Sequence, residues 1–323
     1  MTNERVKILG IGEMDKGVHD ALAEQFDVYC DDEFGLEAAI AAFGADIRAL
    51  VIRGRDRITD ELIQRLPRLE LIANFGVGYD SIDIEAATRH GIMVTNTPDV
   101  LNGEMADFAV GLLLATVRRF PQADLYLRSG LWSKDEQFPL STSLRGRTIG
   151  IAGMGRIGKV LARRLEGFEL PISYFGRHPQ PDLPYPFYDD LRELAKAVDT
   201  LIILLPGGPE TGGIVDAAVL SALGPEGILI NVARGSVVDQ HALIEALQSG
   251  VILAAGLDVF AEEPKVPPEL LHMEQVVLLP HIGTATHYTR RRMGELVVKN
   301  VLSWFAGHGP VTPVKEMEKN QRG

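Results

Sequence analysis

Short runs of β-branched and other apolar residues recur along the chain, and between them apolar positions return every three or four residues. The first pattern suits strands and the second suits helices lying on a sheet. An opening set comprises VKILGIG (Val6–Gly12), FDVYC (Phe26–Cys30), IRALVIRG (Ile47–Gly54), LELIANFG (Leu69–Gly76) and IMVTNTP (Ile92–Pro98). Helix-period segments separate most of these runs, which predicts a small α/β domain with a parallel sheet.

The pattern then changes. A long amphipathic helix is predicted from Asn102 to Phe120, followed by an irregular polar stretch, Arg128 to Leu144, that contains Trp132 and Pro139. A second alternating series begins at RTIGIAG (Arg147–Gly153) and continues through ISYFG, TLIILLP, GILINVA, AAGLDVF and VVLLPHIG. The last segment, Thr289 to Gly307, reads as a helix with Met293, Leu296, Val297, Val301 and Leu302 on one face. The prolines of AEEPKVPPE (Ala261–Glu269) predict a loop there. No short internal repeat and no low-complexity tract interrupts the series.

Length and composition narrow the reading. A chain of 323 residues suits two domains, and 46% hydrophobic with 24% charged residues is the balance of a soluble globular protein. A formal charge of −12 argues against nucleic acid, whose phosphates are held by clustered Lys and Arg. The single cysteine, Cys30, leaves no internal disulfide and no Cys-based zinc site, as in a reducing compartment, and no metal is expected. The N-terminus lacks the basic and long apolar regions of a signal peptide, and FAVGLLLATV (Phe108–Val117) is too short to span a bilayer. A cytoplasmic protein is expected.

Between the strand Thr148–Ala152 and a helix stand Gly153, Gly155 and Gly158, with Arg156 and Ile157 between them. This G-x-G-x-x-G spacing serves a tight turn, close backbone approach of a pyrophosphate, and packing of helix on strand, with the helix amides facing the phosphates. Its helix carries Ile157, Val160, Leu161, Leu165 and Phe168 on one face. The alternative is an ordinary strand-to-helix turn. At the end of the next strand an NAD-binding fold usually places a carboxylate, which grips the ribose. Here SYFGRHP (Ser173–Pro179) supplies Gly176, Arg177 and His178, and no acidic residue lies between Leu170 and Gln180. Arg177 suits a 2′-phosphate, with His178 as a second donor, which points to NADPH over NADH. The alternative is a solvated arginine in a proline-bounded loop.

Ligands of open α/β sheets bind beyond the carboxyl ends of strands. Three candidates fall there: Arg234 after ILINVA, Glu263 after GLDVF, and His281 after VVLLP. Arginine pairs with a substrate carboxylate, histidine protonates a carbonyl oxygen, and a neighbouring glutamate favours the imidazolium and fixes its tautomer. Read alone, Arg234 is equally a helix-entry surface residue, and Glu263, beside Glu262, equally a solvated one. His281 sits in a turn between Pro280 and Gly283, whereas His19, His90, His241, His272, His287 and His308 have loop or helix-surface contexts.

With these residues assembled, the chain resembles the D-2-hydroxyacid dehydrogenase family over nearly its whole length. The stretches that carry the likeness are NFGVGYDSID, GMGRIG, NVARGSVVD, AGLDVFAEEP and LLPHIGTAT. TPDVLNGEMADFAVGLLLA and HIGTATHYTRRRM look most like the glyoxylate/hydroxypyruvate and hydroxyphenylpyruvate reductase branch. The resemblance implies a Rossmann-type nucleotide-binding domain over 101–285 and a discontinuous, flavodoxin-like substrate domain over 1–100 and 286–323. It implies that Arg234 orients substrate, Glu263 supports the histidine and His281 is the acid/base, while Gly76, Val77 and Gly78 hold the substrate carboxylate through backbone amides. Pro206, Thr211, Val232, Ala233, Asp258 and Gly283 would line the cofactor, Asp258 at the nicotinamide carboxamide. A homodimer through the 102–147 region is also implied. Two residues depart from the family pattern: Asn102 stands where threonine is usual, and Gly207–Gly208 where leucine-threonine is usual. The expected activity is NADPH-preferring reduction of small 2-oxo acids to D-2-hydroxy acids. The alternatives are an NAD-dependent relative of the phosphoglycerate type and a non-enzymatic, corepressor-like dinucleotide sensor.

Overall fold

The computed structural model describes residues 5–53, 57–134 and 137–321. The chain divides into two compact units, Met1–Leu101 with Ala285–Gly323, and Asn102–Thr284. In the first, β1 (Lys7–Ile11), α1 (Lys16–Ala23), β2 (Asp27–Cys30), α2 (Asp31–Phe34), α3 (Leu36–Phe43), β3 (Ile47–Ile52), α4 (Asp60–Gln64), β4 (Leu71–Asn74), α5 (Ile84–Arg89) and β5 (Met93–Thr95) alternate in order. The strands pair in parallel in the order β2-β1-β3-β4-β5. Each lies inside a run expected to be a strand. Leu9, Leu50, Ile72 and Val94 are fully buried between the sheet and its helices. Asp15, Thr59 and Asp83 start α1, α4 and α5 by accepting backbone N–H groups that the helix itself leaves unpaired.

The second unit opens with α6 (Asn102–Arg118) and α7 (Phe120–Arg128). The long helix expected to reach Phe120 therefore stops two residues early, at Arg119, whose φ is +54°. Pro121 explains the break: it has no N–H to continue the ladder of α6, whereas in the first turn of a new helix that N–H is not needed. Gln122 Nε2 donates to the carbonyls of Glu274 and Val276, which ties the start of α7 to a distant strand.

There follow β6 (Ile149–Ala152), α8 (Arg156–Glu166), β7 (Ile172–Phe175), β8 (Phe187–Tyr188), α9 (Leu191–Ala197), β9 (Thr200–Ile203), α10 (Ala217–Leu223), β10 (Ile228–Asn231), α11 (Gln240–Gln248), β11 (Ala254–Leu257), α12 (Pro268–Leu271) and β12 (Val276–Leu278). The sheet is parallel, ordered β12-β11-β10-β9-β6-β7-β8. The chain leaves β6 to one side and returns beside it as β9. That reversal is the switch point at which such sheets hold ligands.

At the opposite, amino ends of these strands Arg147 is buried and donates to Thr200 Oγ1 and to the carbonyls of Asp199 and Glu226. Burial lowers the pKa of this guanidinium, and the Asp199 carboxylate at 3.0 Å opposes the shift. The cluster ties β6, β9 and β10 together away from the ligand edge.

Three local expectations change. Pro268 and Glu269 belong to the one-turn α12, because proline is tolerated in a first helical turn. Phe168 lies beyond the end of α8 and is 41% exposed, so the buried face of that helix rests on Leu161, Ala162 and Leu165. The two-residue β8 had no pattern long enough to announce it. The chain finally returns to the first unit as α13 (His287–Phe305), with Met293, Val297 and Val301 buried. Among the described residues no helix is long and apolar enough to cross a membrane.

Candidate active site

The turn after β6 is built by its glycines. Gly153 has φ +109°, and a Cβ there would stand 2.8 Å from the backbone of Leu204, at the end of β9. A Cβ on Gly158 would collide with the Gly153 carbonyl, so α8 starts as close to the strand as backbone permits. Gly155 caps α8 and has open space where its Cβ would point. Arg156 and Ile157 occupy the first turn of α8, whose N-terminal amides have no partners within the helix. The turn therefore presents, at a helix N-terminus beside an open approach, N–H groups that the helix itself does not use, which fits a pyrophosphate.

Arg177 and His178 follow β7 and are exposed. The Arg177 guanidinium lies 3.9 Å from Glu210, with both side chains about four-fifths exposed (77% and 84%). Such a surface pair contributes at most about 1 kcal/mol. Glu210 belongs to the loop of Pro206 and Thr211, in which Thr211 Oγ1 donates to the Pro206 carbonyl at 2.6 Å. The sequence reading found the loop and missed its glutamate. It also missed Gln180, whose N–H donates to Tyr174 Oη and whose Nε2 donates to the Met154 carbonyl, joining the Arg177 loop to the glycine turn.

Arg234, Glu263 and His281 are linked through backbone. Asn231, the last residue of β10, donates from Nδ2 to the Arg234 carbonyl and accepts from the Ala233 N–H, shaping the turn that contains buried Val232 and Ala233. The next residue, Gly235, runs so close to Phe260 that a Cβ would overlap its backbone. The Phe260 N–H donates to Glu263 Oε1 at 3.1 Å, and Glu263 Oε2 lies 2.7 Å from His281 Nδ1. The Glu263 side chain is 12% exposed and that of His281 43%. A carboxylate only accepts, so Nδ1 carries the proton and Nε2 is left toward solvent as the exchanging nitrogen.

His281 has φ +57°, a conformation that costs a non-glycine residue about 1–2 kcal/mol. It is held by Asp258, which is 1% exposed and accepts the N–H groups of Ile282 (2.8 Å) and Gly283 (2.9 Å). Burial raises the Asp258 carboxyl above its usual range, and those two amides oppose the rise. A Cβ on Gly283 would press on Met105 and Asp258.

The loop Gly76–Gly78 belongs to the first unit. Asn74 Nδ2 donates to the carbonyls of Gly76 and Gly78, and Asn96 Nδ2 to that of Val77. Those carbonyls are turned inward, and among the described residues the Val77 and Gly78 N–H groups make no backbone hydrogen bond. Such a run of unpaired amides suits an anion. Other histidines pair with surface carboxylates, as His90 does with Asp60 and His19 with Asp20. Among the described residues no cluster suits a metal ion.

Residues 110–283 match the family described as D-isomer specific 2-hydroxyacid dehydrogenase, NAD binding domain. The hydroxyphenylpyruvate reductase of Plectranthus scutellarioides is 45% identical over 275 residues, covering 85% of this chain and 88% of the relative. A glyoxylate/hydroxypyruvate reductase of Arabidopsis thaliana is 46% identical over 268 residues, covering 83% and 85%. The solved structure of an NADPH-dependent glyoxylate/hydroxypyruvate reductase from Sinorhizobium meliloti, in complex with NADP and malonate, is 47% identical. It superposes with a TM-score of 0.92 over 97% of this chain and 98% of its own.

Proposed function

The chain belongs to the D-isomer specific 2-hydroxyacid dehydrogenases, oxidoreductases acting on CH–OH groups, and from that premise we propose that it reduces small 2-oxo acids to D-2-hydroxy acids with NADPH. The observation that carries the reading is the 2.7 Å pair of His281 Nδ1 and Glu263 Oε2 at the carboxyl edge of a dinucleotide-binding sheet. NADPH, when bound, supplies the hydride. His281 gives the carbonyl oxygen its proton from Nε2, and Glu263 holds the ring in place through Nδ1. Arg234 orients the oxo acid, whose carboxylate is received by the amides of the Gly76–Gly78 loop.

The cofactor is held at Gly153, Gly155, Arg156, Ile157 and Gly158 by its pyrophosphate and at Arg177 and His178 by its 2′-phosphate. Pro206, Thr211, Val232, Ala233 and Gly283 line it, and Asp258 meets the carboxamide. The preference for NADPH is supported by Arg177 in place of a carboxylate, and by NADP in the similar Sinorhizobium meliloti reductase. We also place the protein in the cytoplasm, as a homodimer through the 102–147 region.

The test is reduced-cofactor absorbance with glyoxylate, hydroxypyruvate and phenylpyruvate. Wild type is expected to oxidise NADPH with at least one of them, and His281→Gln to lose about 10²–10⁴ in kcat with cofactor affinity little changed. Absence of turnover with every 2-oxo acid rejects the reading. A His281→Gln enzyme of near-normal rate rejects the acid.

A further inference from the structure

Two arginines of the first unit flank one aromatic ring. Arg53 follows β3 and Arg290 lies in the first turns of α13; their Cζ atoms stand 5.5 and 5.8 Å from the ring centroid of Phe75. Phe75 is 6% exposed and directly precedes Gly76, so the ring is fixed to the loop whose Val77 and Gly78 amides make no backbone hydrogen bond among the described residues. Backbone locks the arrangement further: Phe75 N–H donates to the Ile52 carbonyl and Arg53 N–H to the Ile11 carbonyl.

The pair is short of negative charge among the described residues. Among them the Arg290 side chain makes no ion pair and no hydrogen bond, although it is partly buried, and only its backbone N–H is engaged, with the Thr286 carbonyl. Burial and the charge of Arg53 both disfavour its guanidinium, while Glu13 and Asp15 favour it. Those carboxylates are weak counter-charges. Glu13 lies 3.7 Å from Arg53 with its side chain 85% exposed, and Asp15 is engaged in capping α1. A planar guanidinium with five donors and no acceptor is built for an oxyanion.

We propose that Arg53 and Arg290 form a subsite for the distal carboxylate of a 2-oxo dicarboxylic acid, next to the Gly76–Gly78 loop that receives its first carboxylate. The assignment rests on the reductase reading above and names its substrate class. The same chemistry has a second source. Arg290 also lines a groove of about 820 Å³ between α1 and α13, from which a separate anion would reach it.

The experiment compares kcat/KM for oxaloacetate and 2-oxoglutarate with that for glyoxylate and 2-oxobutanoate, using NADPH. Wild type, Arg53→Leu, Arg290→Leu and Arg290→Lys are measured, each with a thermal melt to establish folding. Wild type is expected to favour a diacid. That ratio should fall by about tenfold or more in the leucine variants, and Arg290→Lys should recover part of it. Arg53 lies outside every helix and strand, so Arg53→Leu remains informative if Arg290→Leu does not fold.

Succinate and inorganic phosphate distinguish the sources. Succinate competing with the oxo acid supports the subsite, whereas phosphate that raises the melting temperature without competing assigns Arg290 to a separate anion and overturns it. A wild type that reduces glyoxylate yet prefers no diacid, or folded leucine variants that keep the ratio, overturn the subsite and leave the reductase reading standing. No turnover of any 2-oxo acid removes both.

Discussion

At the scale of single residues, the site depends on His281 being held where its backbone does not rest by itself. Asp258 supplies the restraint by taking both N–H groups that follow the strained residue. Asp258→Asn keeps the volume but presents an NH₂ to one of those donors, so one hydrogen bond is lost and two donors face each other. We expect a loss of about 1–3 kcal/mol. Hydrogen exchange at Ile282 and Gly283 should quicken by about tenfold or more, with a parallel fall in kcat, since 1.4 kcal/mol is a factor of ten. Unchanged exchange at these amides would show that Asp258 does not hold the turn. The pH response has a definite sign. Burial raises the folded-state value of Asp258, so the folded state binds the proton more tightly, and stability falls as pH rises from about 3.9 through that raised value. The substitution removes that slope. The restraint works in the opposite sense, because it needs the carboxylate and weakens as pH falls through the raised value. Residue type and position beyond a strand made His281 and Glu263 visible in the sequence. Glu263 was singled out over Glu262 by the family resemblance, because the path of a proline-bounded loop leaves no mark on local pattern. The amides gripped by Asp258 were equally hidden, since backbone direction leaves no mark on side-chain pattern.

Among the elements, those with long periodic patterns were legible and those made by one or two residues were not. The five strands of the first unit and β6, β7, β9, β10, β11 and β12 lie within runs read as strands, because each contains a continuous apolar stretch. The α6–α7 break, α12 and β8 escaped. A hydrophobic period continues across Pro121 although the backbone does not, and two residues carry no period at all. The proposed choice of NADPH rests on the end of β7. Arg177 projects there from a loop tied to the glycine turn by Gln180, so it stands on a fixed support beside that turn. Arg177→Ala should raise the Michaelis constant for NADPH by about tenfold or more, as expected for loss of a charge-assisted pair, and change that for NADH by less than about twofold. Equal effects on both cofactors, measured by initial rates at saturating oxo acid, would remove Arg177 from 2′-phosphate recognition.

For the whole molecule, length and two successive β/α series were enough to anticipate two units. The return of the C-terminal helix to the first unit came from family resemblance, since hydrophobic period is local and says nothing about which sheet a helix covers. Association is likewise invisible to period, and the proposed homodimer is supported by apolar side chains left exposed. Leu125 and Leu127 of α7 are 68% and 54% exposed, Trp132 is 69% exposed and Leu140 fully so. Apolar side chains gathered in one stretch of sequence are costly to leave in water, and a two-fold interface covers the same stretch on both partners. A net charge of −12 keeps the remaining surface from associating without specificity. We therefore expect wild type to sediment as a dimer at micromolar concentration. The double substitution Leu125→Glu and Leu127→Glu should place like charges across the two-fold axis and yield monomer with a melting temperature that no longer depends on concentration. Equilibrium sedimentation of both proteins checks this. A wild type that stays monomeric, or a double variant that stays dimeric, would move the interface away from α7.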